Sequence, residues 1–428
     1  MKLQKSMLIN ISTFLYLFIM IFCFSYRDRT DISSKILFFW PGFILLLFGL
    51  YCIIILLLYK LSNSYIIKIN INIPLILLSL YFYFYFNSLS CYNEIIINIF
   101  VMNILLFISI LMYLLVSSYL IFEMSLRFAK LLVYLAVGFS IIAILINYNL
   151  INIEIGDFNL RPTLTHFPRL SGISDDPTSL GALTGSGALC LLFLIILNDY
   201  WIIKLKYIII ILFLLTVLIM TGSRMAIIAF TISGSIMIYL FFGIRKMLKI
   251  ICYASIFLFF IIILLQYITD DDLMIYFIKL FRPYDISEEG TRLYIWQNTL
   301  KIFSEGSILD IIVGRGSLWL RSNYRSAHNA YFEFLVDNGI TFLILLLIYS
   351  YILYKKIKFA IRNNIDAATA ILLGSLLTYV LVFSFYLSSL ITKNFFIINF
   401  IFICTSLLIS RLNISKYFPP KKACFKVK

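Results

Sequence analysis

Five arginines and a histidine stand at positions that packing alone does not explain, and their types suit phosphate chemistry. Arg224 closes the turn Thr221-Gly222-Ser223-Arg224 between two apolar runs. A charge there is costly unless it is paired or faces a wet cavity. Ser223 is placed to cap the helix that follows, so that its first N–H groups and positive dipole end lie beside the guanidinium. Arg161 and Arg169 precede Asp175-Asp176-Pro177, which reads as an N-cap with proline at the first helical position. Arg292 follows Thr291 at the head of a short helical pattern in which Leu293, Trp296, Leu300 and Phe303 recur on one face. Arg315 lies in Gly314-Arg315-Gly316, and His328-Asn329 lead into an apolar run that starts at Ala330. A planar guanidinium grips two phosphate oxygens at once. An imidazole, titrating near neutrality, takes the proton of an attacking hydroxyl. Plainer readings stand beside these: Arg224 snorkelling to lipid headgroups, His328 as a hydrogen-bonded interfacial residue, the loop arginines as solvated charges.

The frame that must position these residues is apolar. The chain has 428 residues, is 62% hydrophobic and 13% charged, and has a mean hydropathy of +1.02. A soluble domain of that size could not hide so much apolar surface. The expected fold is all-α and polytopic, with about twelve membrane-spanning helices in one membrane domain over 1–428. The spans read near 7–25, 36–59, 72–88, 95–122, 128–148, 179–198, 205–221, 224–243, 250–267, 330–354, 367–390 and 395–410. The first is read as a retained helix, because no small-residue cleavage site follows it.

The net charge of +15 does not point to nucleic acid, because the basic residues collect at alternate loops. Arg245-Lys246, Lys355-Lys356 and the tail from Lys416 to Lys428 mark cytoplasmic segments, and both termini are expected there. Among the acids, only Glu123, Asp199 and Asp366 fall in cytoplasmic turns; Glu333 and Asp337 lie in the outer half of a helix, and the rest in outer loops. Two outer loops are long, near 149–178 and, between helices 9 and 10, near 268–329; long loops between packed helices usually carry function. The five arginines and His328 all fall on this outer side, and the clustering raises the functional reading above the plain one. Asp270-Asp271-Asp272 is a rival metal site, but three consecutive acids in a helix or strand cannot all face one ion. Seven scattered cysteines and two histidines offer no zinc or disulfide pattern, so no metal or cofactor is expected.

Four motifs in order resemble the O-antigen polymerase and O-antigen ligase superfamily of bacterial envelopes. They are Arg169-Leu170-Ser171-Gly172 with Asp176-Pro177-Thr178; Thr221-Gly222-Ser223-Arg224; Thr291-Arg292 with Trp296; and Gly314-x-Gly316 followed by His328-Asn329. They span roughly 160–345, which the resemblance marks as the catalytic region. It implies an inner-membrane enzyme with an extracytoplasmic site that moves a glycan from undecaprenyl diphosphate to a sugar hydroxyl, without metal or nucleotide sugar. By position Arg224 and Arg292 hold the diphosphate, Arg169 assists with Arg161 and Arg315 nearby, and His328 is the base or orienting group. Polymerases use a second lipid-linked repeat unit as acceptor and can work with a chain-length regulator; ligases use lipid A-core or protein. The ligase-like spacing from His328-Asn329 to Gly339 is present, whereas the glycine that often follows is replaced by Phe342. The expected function is a glycan polymerase, with a ligase second. A lipid-linked oligosaccharide flippase is the rival from another class, disfavoured because the helix midsections are almost free of charge.

Overall fold

A computed structural model of the chain describes 121–147, Leu150, Leu170, 177–253, 292–316, 319–324, 327–364, 366–385 and short helical stretches between 401 and 412. The expected spans up to residue 120, and most of those at 250–267 and 395–410, lie outside the described residues.

The described part is all helical. The long helices are α1 (Ile121–Asn147), α2 (Pro177–Leu197), α3 (Trp201–Met220) and α4 (Arg224–Phe242). Three short helices follow, α5 (Arg292–Ser304), α6 (Ile308–Val313) and α7 (Trp319–Asn323). Then come α8 (Ala330–Arg362) and α9 (Ala367–Ser384). Among the described residues six helices, α1 to α4, α8 and α9, are long and apolar enough to cross a membrane. The chain is a multi-pass membrane protein.

Helix α2 is the centre of the bundle and packs on α1, α3, α4 and α9. Its sequence explains the place: Ser179, Gly181, Ala182, Thr184, Gly185, Ser186, Gly187 and Ala188 are all buried, and small side chains let neighbouring backbones approach closely. The buried hydroxyls of Thr184 and Ser186 donate to carbonyls of their own helix, at Leu180 and Leu183, so neither needs water. Helix α9 packs between α4, α8 and α2. On α8 the residues Phe342, Leu346, Tyr349, Leu353, Ile357 and Ala360 form one buried stripe at helical spacing. The opposite face, with Leu347, Ile348, Tyr351 and Tyr354, is exposed as a lipid-facing surface would be.

The short helices form a lobe. All three pack on α8, and α5 and α7 share with it a small core of Leu320, Ala327 and Val336 with Ile302, Phe303, Trp319 and Phe332 around it. Of the expected apolar stripe on α5, Trp296 and Phe303 face the interior of the lobe. Leu293 and Leu300 are exposed, while Ile295 and Thr299 are buried. Thr299 can face inward because its hydroxyl donates to the Ile295 carbonyl at 2.7 Å.

Candidate functional site

At one end of the bundle α3 stops at Met220 and α4 starts at Arg224. Thr221 donates its hydroxyl hydrogen to the Leu218 carbonyl (2.7 Å) and accepts the Ser223 N–H (3.3 Å), while Gly222 takes a φ of 62°. Ser223 sits at the N-cap of α4 as expected, but its hydroxyl makes no capping hydrogen bond. The fixing hydroxyl of the turn is Thr221. The first turn of α4 therefore carries no side-chain cap from Ser223.

Two other segments reach this turn. The Leu170 N–H donates to the Met220 carbonyl at 3.1 Å, so the residue after Arg169 is bonded to the end of α3. Arg169 and Arg161 themselves lie outside the described residues, as do Asp175, Asp176 and His166. Helix α2 begins at Pro177, and Gly181, one turn in, is pressed against the turn. A Cβ on Gly181 would stand 2.7 Å from Ser223 Cβ and 3.1 Å from both hydroxyl oxygens, of Ser223 and Thr221.

The second seat belongs to the lobe. Arg292 opens α5 as expected, and Trp296, one turn later, donates its Nε1–H to the Ala327 carbonyl at 3.0 Å. Trp296 also meets the Phe332 ring edge-on at 5.6 Å. His328 follows Ala327 with a φ of 52°, in the left-handed region few residues other than glycine enter. Asn329 is the N-cap of α8, its side-chain oxygen accepting from the N–H of Tyr331 (3.0 Å) and of Phe332 (3.3 Å). Tyr331 donates its hydroxyl hydrogen to the Leu381 carbonyl at 2.9 Å. Tyr379, two residues earlier on α9, donates to the Ala182 carbonyl at 3.0 Å in the first turns of α2. The last turns of α9 thus link the Arg224 seat to the segment that begins at His328.

Helix α8 is not the single straight helix that the apolar run 330–354 suggests. Gly339 has φ 72° and ψ 174°, which no helix residue adopts. In a straight helix Phe334 and Phe342 would be about 12 Å apart along the axis, yet their ring centroids are 5.0 Å apart. A Cβ on Gly374 would lie 3.2 Å from Ile357, and Tyr331 bonds Leu381. Along straight helices the first pair of α8 residues would be separated by ~39 Å and the α9 pair by ~10 Å. Both contacts exist together because 330–338 turns sharply away from the axis of the rest of α8. Glu333 and Asp337, expected in the outer half of a span, belong to this separate piece, and both are buried.

The break is where the lobe is attached. Arg315 N–H donates to the Val336 carbonyl (3.0 Å) and Gly316 N–H to the Asp337 carbonyl (2.9 Å). Asp337 Oδ1 accepts the Leu320 N–H (2.9 Å), and Thr341 donates its hydroxyl hydrogen to the Ile312 carbonyl (2.7 Å). A Cβ on Gly314 would run into the backbone of Asp337 and Asn338, and one on Gly339 into that of Ile312 and Gly314. Gly314 is thus explained by backbone-to-backbone approach, and Gly316 by its φ of 103°. The Arg315 guanidinium donates to the Ile302 carbonyl (3.2 Å), lies 3.6 Å from Asp310 and stacks at 4.4 Å on Trp319. It ties α5, α6 and α7 together. Helix α6 went unread in the sequence, although Ser307 and Asp310 form a capping box that its S-x-x-D spacing announces.

Of the candidate residues, Arg224, Arg292 and His328 lie on segments that converge at one end of the bundle, and Arg315 lies in the joint behind them. Residues 208–347 match the family model described as O-antigen ligase. The match supports membership of the O-antigen ligase and polymerase superfamily. A comparison with curated proteins gave no match. The O-antigen ligase stretch runs from α3 through the Arg224 turn, α4, the lobe and the break in α8, so it holds four of the six candidates. Helix α2 and the segment of Arg161 and Arg169 precede it.

Proposed function

We propose that this protein is a glycan polymerase that transfers an oligosaccharide repeat unit from undecaprenyl diphosphate to a hydroxyl of a second lipid-linked repeat unit. The observation that carries the reading is the pairing of an arginine with a helix N-terminus lacking a side-chain cap. Arg224 opens α4, whose N-cap Ser223 makes no side-chain capping hydrogen bond. That is an arrangement for an anion. Helix α8 differs: Asn329 caps it, so its start serves to hold His328 rather than a phosphate. Arg292, together with Arg161 and Arg169, adds donors for the diphosphate, and Arg315 supports the lobe.

In the reaction the acceptor oxygen attacks the anomeric carbon, the anomeric C–O bond to the diphosphate breaks, and His328 takes the hydroxyl proton. Charge grows on the leaving diphosphate, so fixed guanidinium donors favour the transition state over the bound substrate. No metal or cofactor is required for these steps. The opposite end of the bundle carries Lys204, Arg245, Lys246, Lys249, Lys355, Lys356, Lys358 and Arg362, which supports a cytoplasmic far end and an extracytoplasmic site in the bacterial inner membrane. A second reading, transfer to lipid A-core or protein, is favoured by the match to an O-antigen ligase family and by the spacing from His328 to Gly339.

The test is incubation of the purified protein with one synthetic undecaprenyl-diphosphate repeat unit. A product ladder is expected; a single transfer that requires lipid A-core would replace polymerase by ligase, and no transfer to any acceptor would sink both. In the active assay Arg224→Ala and Arg224→Lys should each lower turnover by about 10²–10³, since lysine keeps the charge and loses the fork. His328→Ala should lower it by about 10²–10⁴ with donor binding near normal.

A further inference from the structure

We propose that Asp337 is a positioning residue: its carboxylate caps α7 from outside that helix and thereby holds the segment that ends at His328. The inference rests on the functional reading above.

Asp337 is buried and its Oδ1 accepts the N–H of buried Leu320 at 2.9 Å. Leu320 is the second residue of α7, and the first N–H groups of a helix have no partner within it. A helix as short as α7 does not hold itself in water or in lipid, so its start must be fixed from elsewhere. The backbone on either side of the carboxylate is bonded to the same strip of chain, through Val336 to Arg315 and through Asp337 to Gly316. Beyond α7, Ala327 is pinned by Trp296 at 3.0 Å, and His328 is the next residue. Leu320 and Ala327 are therefore each anchored from outside, Leu320 by Asp337 and Ala327 by Trp296. An apolar residue at 337 would pack as well against Leu320 and Val336. It would leave a buried N–H unpaired, which explains a carboxylate in so apolar a place.

Asp337→Asn retains an oxygen that can accept the Leu320 N–H, whereas Asp337→Leu keeps the volume and removes the acceptor. Both are made in the full chain, reconstituted in lipid, and read by amide hydrogen exchange over 319–324 and by kcat and KM for transfer from the undecaprenyl-diphosphate donor. Asp337→Leu should speed exchange in α7 about tenfold and lower kcat by up to ~10², the scale of a small misplacement of a reacting group, with KM within about threefold. Asp337→Asn should restore most of both. Native exchange in Asp337→Leu would overturn the cap. Fast exchange with native kcat would overturn the positioning role, as would an Asp337→Asn protein with native exchange and the kcat of the leucine variant. A wild-type protein that transfers nothing would instead strike the functional reading, and the exchange comparison would still decide the cap.

Discussion

Arg224 and His328 come to the same end of the bundle by different physical means. The Arg224 seat is made of side chains too small to keep helices apart: Gly181 against Ser223 and Thr221, with α9 closing over α2 through Tyr379. The His328 seat is made of backbone hydrogen bonds, Arg315 to Val336 and Gly316 to Asp337, laid on a helix break. The difference follows from the surroundings. Inside a bundle of spans the backbone is already satisfied within each helix, so position is set by shape. At a break the backbone is not satisfied within the helix, and the groups that satisfy it become the joint. Shape should fail gradually, and a backbone joint should fail at once.

The largest effect expected from this contrast is at Gly339. Any side chain there meets two penalties, a φ of 72° and the backbone of Ile312 and Gly314 in its path. A left-handed residue alone costs on the order of 1–3 kcal/mol, and the obstruction is rigid main chain. Gly339→Ala should detach the lobe and lower transfer by ~10² or more, while helices α1 to α4 stay folded. Circular dichroism and assay of the purified variant would check this. Retention of native activity would show that the lobe joint does not govern the site.

Next in size is Gly181→Ala, which tests the seat made of shape. The added Cβ would press on Ser223 and Thr221 within the same small-residue contact. Overpacking of this kind costs roughly 1–3 kcal/mol, and the turn carrying Arg224 should shift enough to reduce turnover about tenfold. Adding Ser223→Gly removes the atom in the way and should return most of the loss. Gly138→Ala is the control, since nothing stands within 4 Å of a Cβ there. It should stabilise α1 by about 0.5–1 kcal/mol, as alanine does over glycine in a helix. If Gly181→Ala and Gly138→Ala behave alike in thermal unfolding and turnover, close approach does not set the Arg224 seat.

The sequence showed one of these two regions far better than the other. Spans expected at 179–198, 205–221, 224–243 and 367–390 correspond to Pro177–Leu197, Trp201–Met220, Arg224–Phe242 and Ala367–Ser384. Their apolar runs are bounded by Pro177, Gly222 and Gly243, which punctuate a helix whatever its neighbours are. The lobe was legible as polar and functional but not as a shape. A single glycine in an apolar run does not announce a break, although Asp337-Asn338 just before it was a signal. The inward face of α5 was legible only at Trp296 and Phe303, because two apolar stripes interleave and only the partner decides which turns inward. Arg315 is expected at the diphosphate by type, and the structure adds its contacts with Asp310, Ile302 and Trp319. Whether a cation meets a ligand or a neighbour depends on contacts across the fold, and one sequence does not show them.

The smallest effect expected is at Trp296, and it isolates one hydrogen bond within the lobe. The indole does two things: its ring meets Phe332 edge-on at 5.6 Å, and its Nε1–H holds the Ala327 carbonyl at 3.0 Å. Trp296→Phe keeps an aromatic ring at the first contact and deletes the second. One neutral hydrogen bond contributes about 0.5–1.5 kcal/mol net, so the lobe should remain docked, held by Asp337 and by the pairing of Arg315 and Gly316 with α8. What changes is the freedom of the peptide before His328, whose left-handed conformation is held only while its neighbours over-determine it. Turnover should fall about three- to tenfold through kcat, with donor KM unchanged because Arg224 and α4 are untouched. A double variant with His328→Ala separates the causes. If Trp296 acts through His328, removing it from a protein already lacking the histidine should add little. Fully additive losses would mean that Trp296 serves the lobe as a whole and does not act through the histidine.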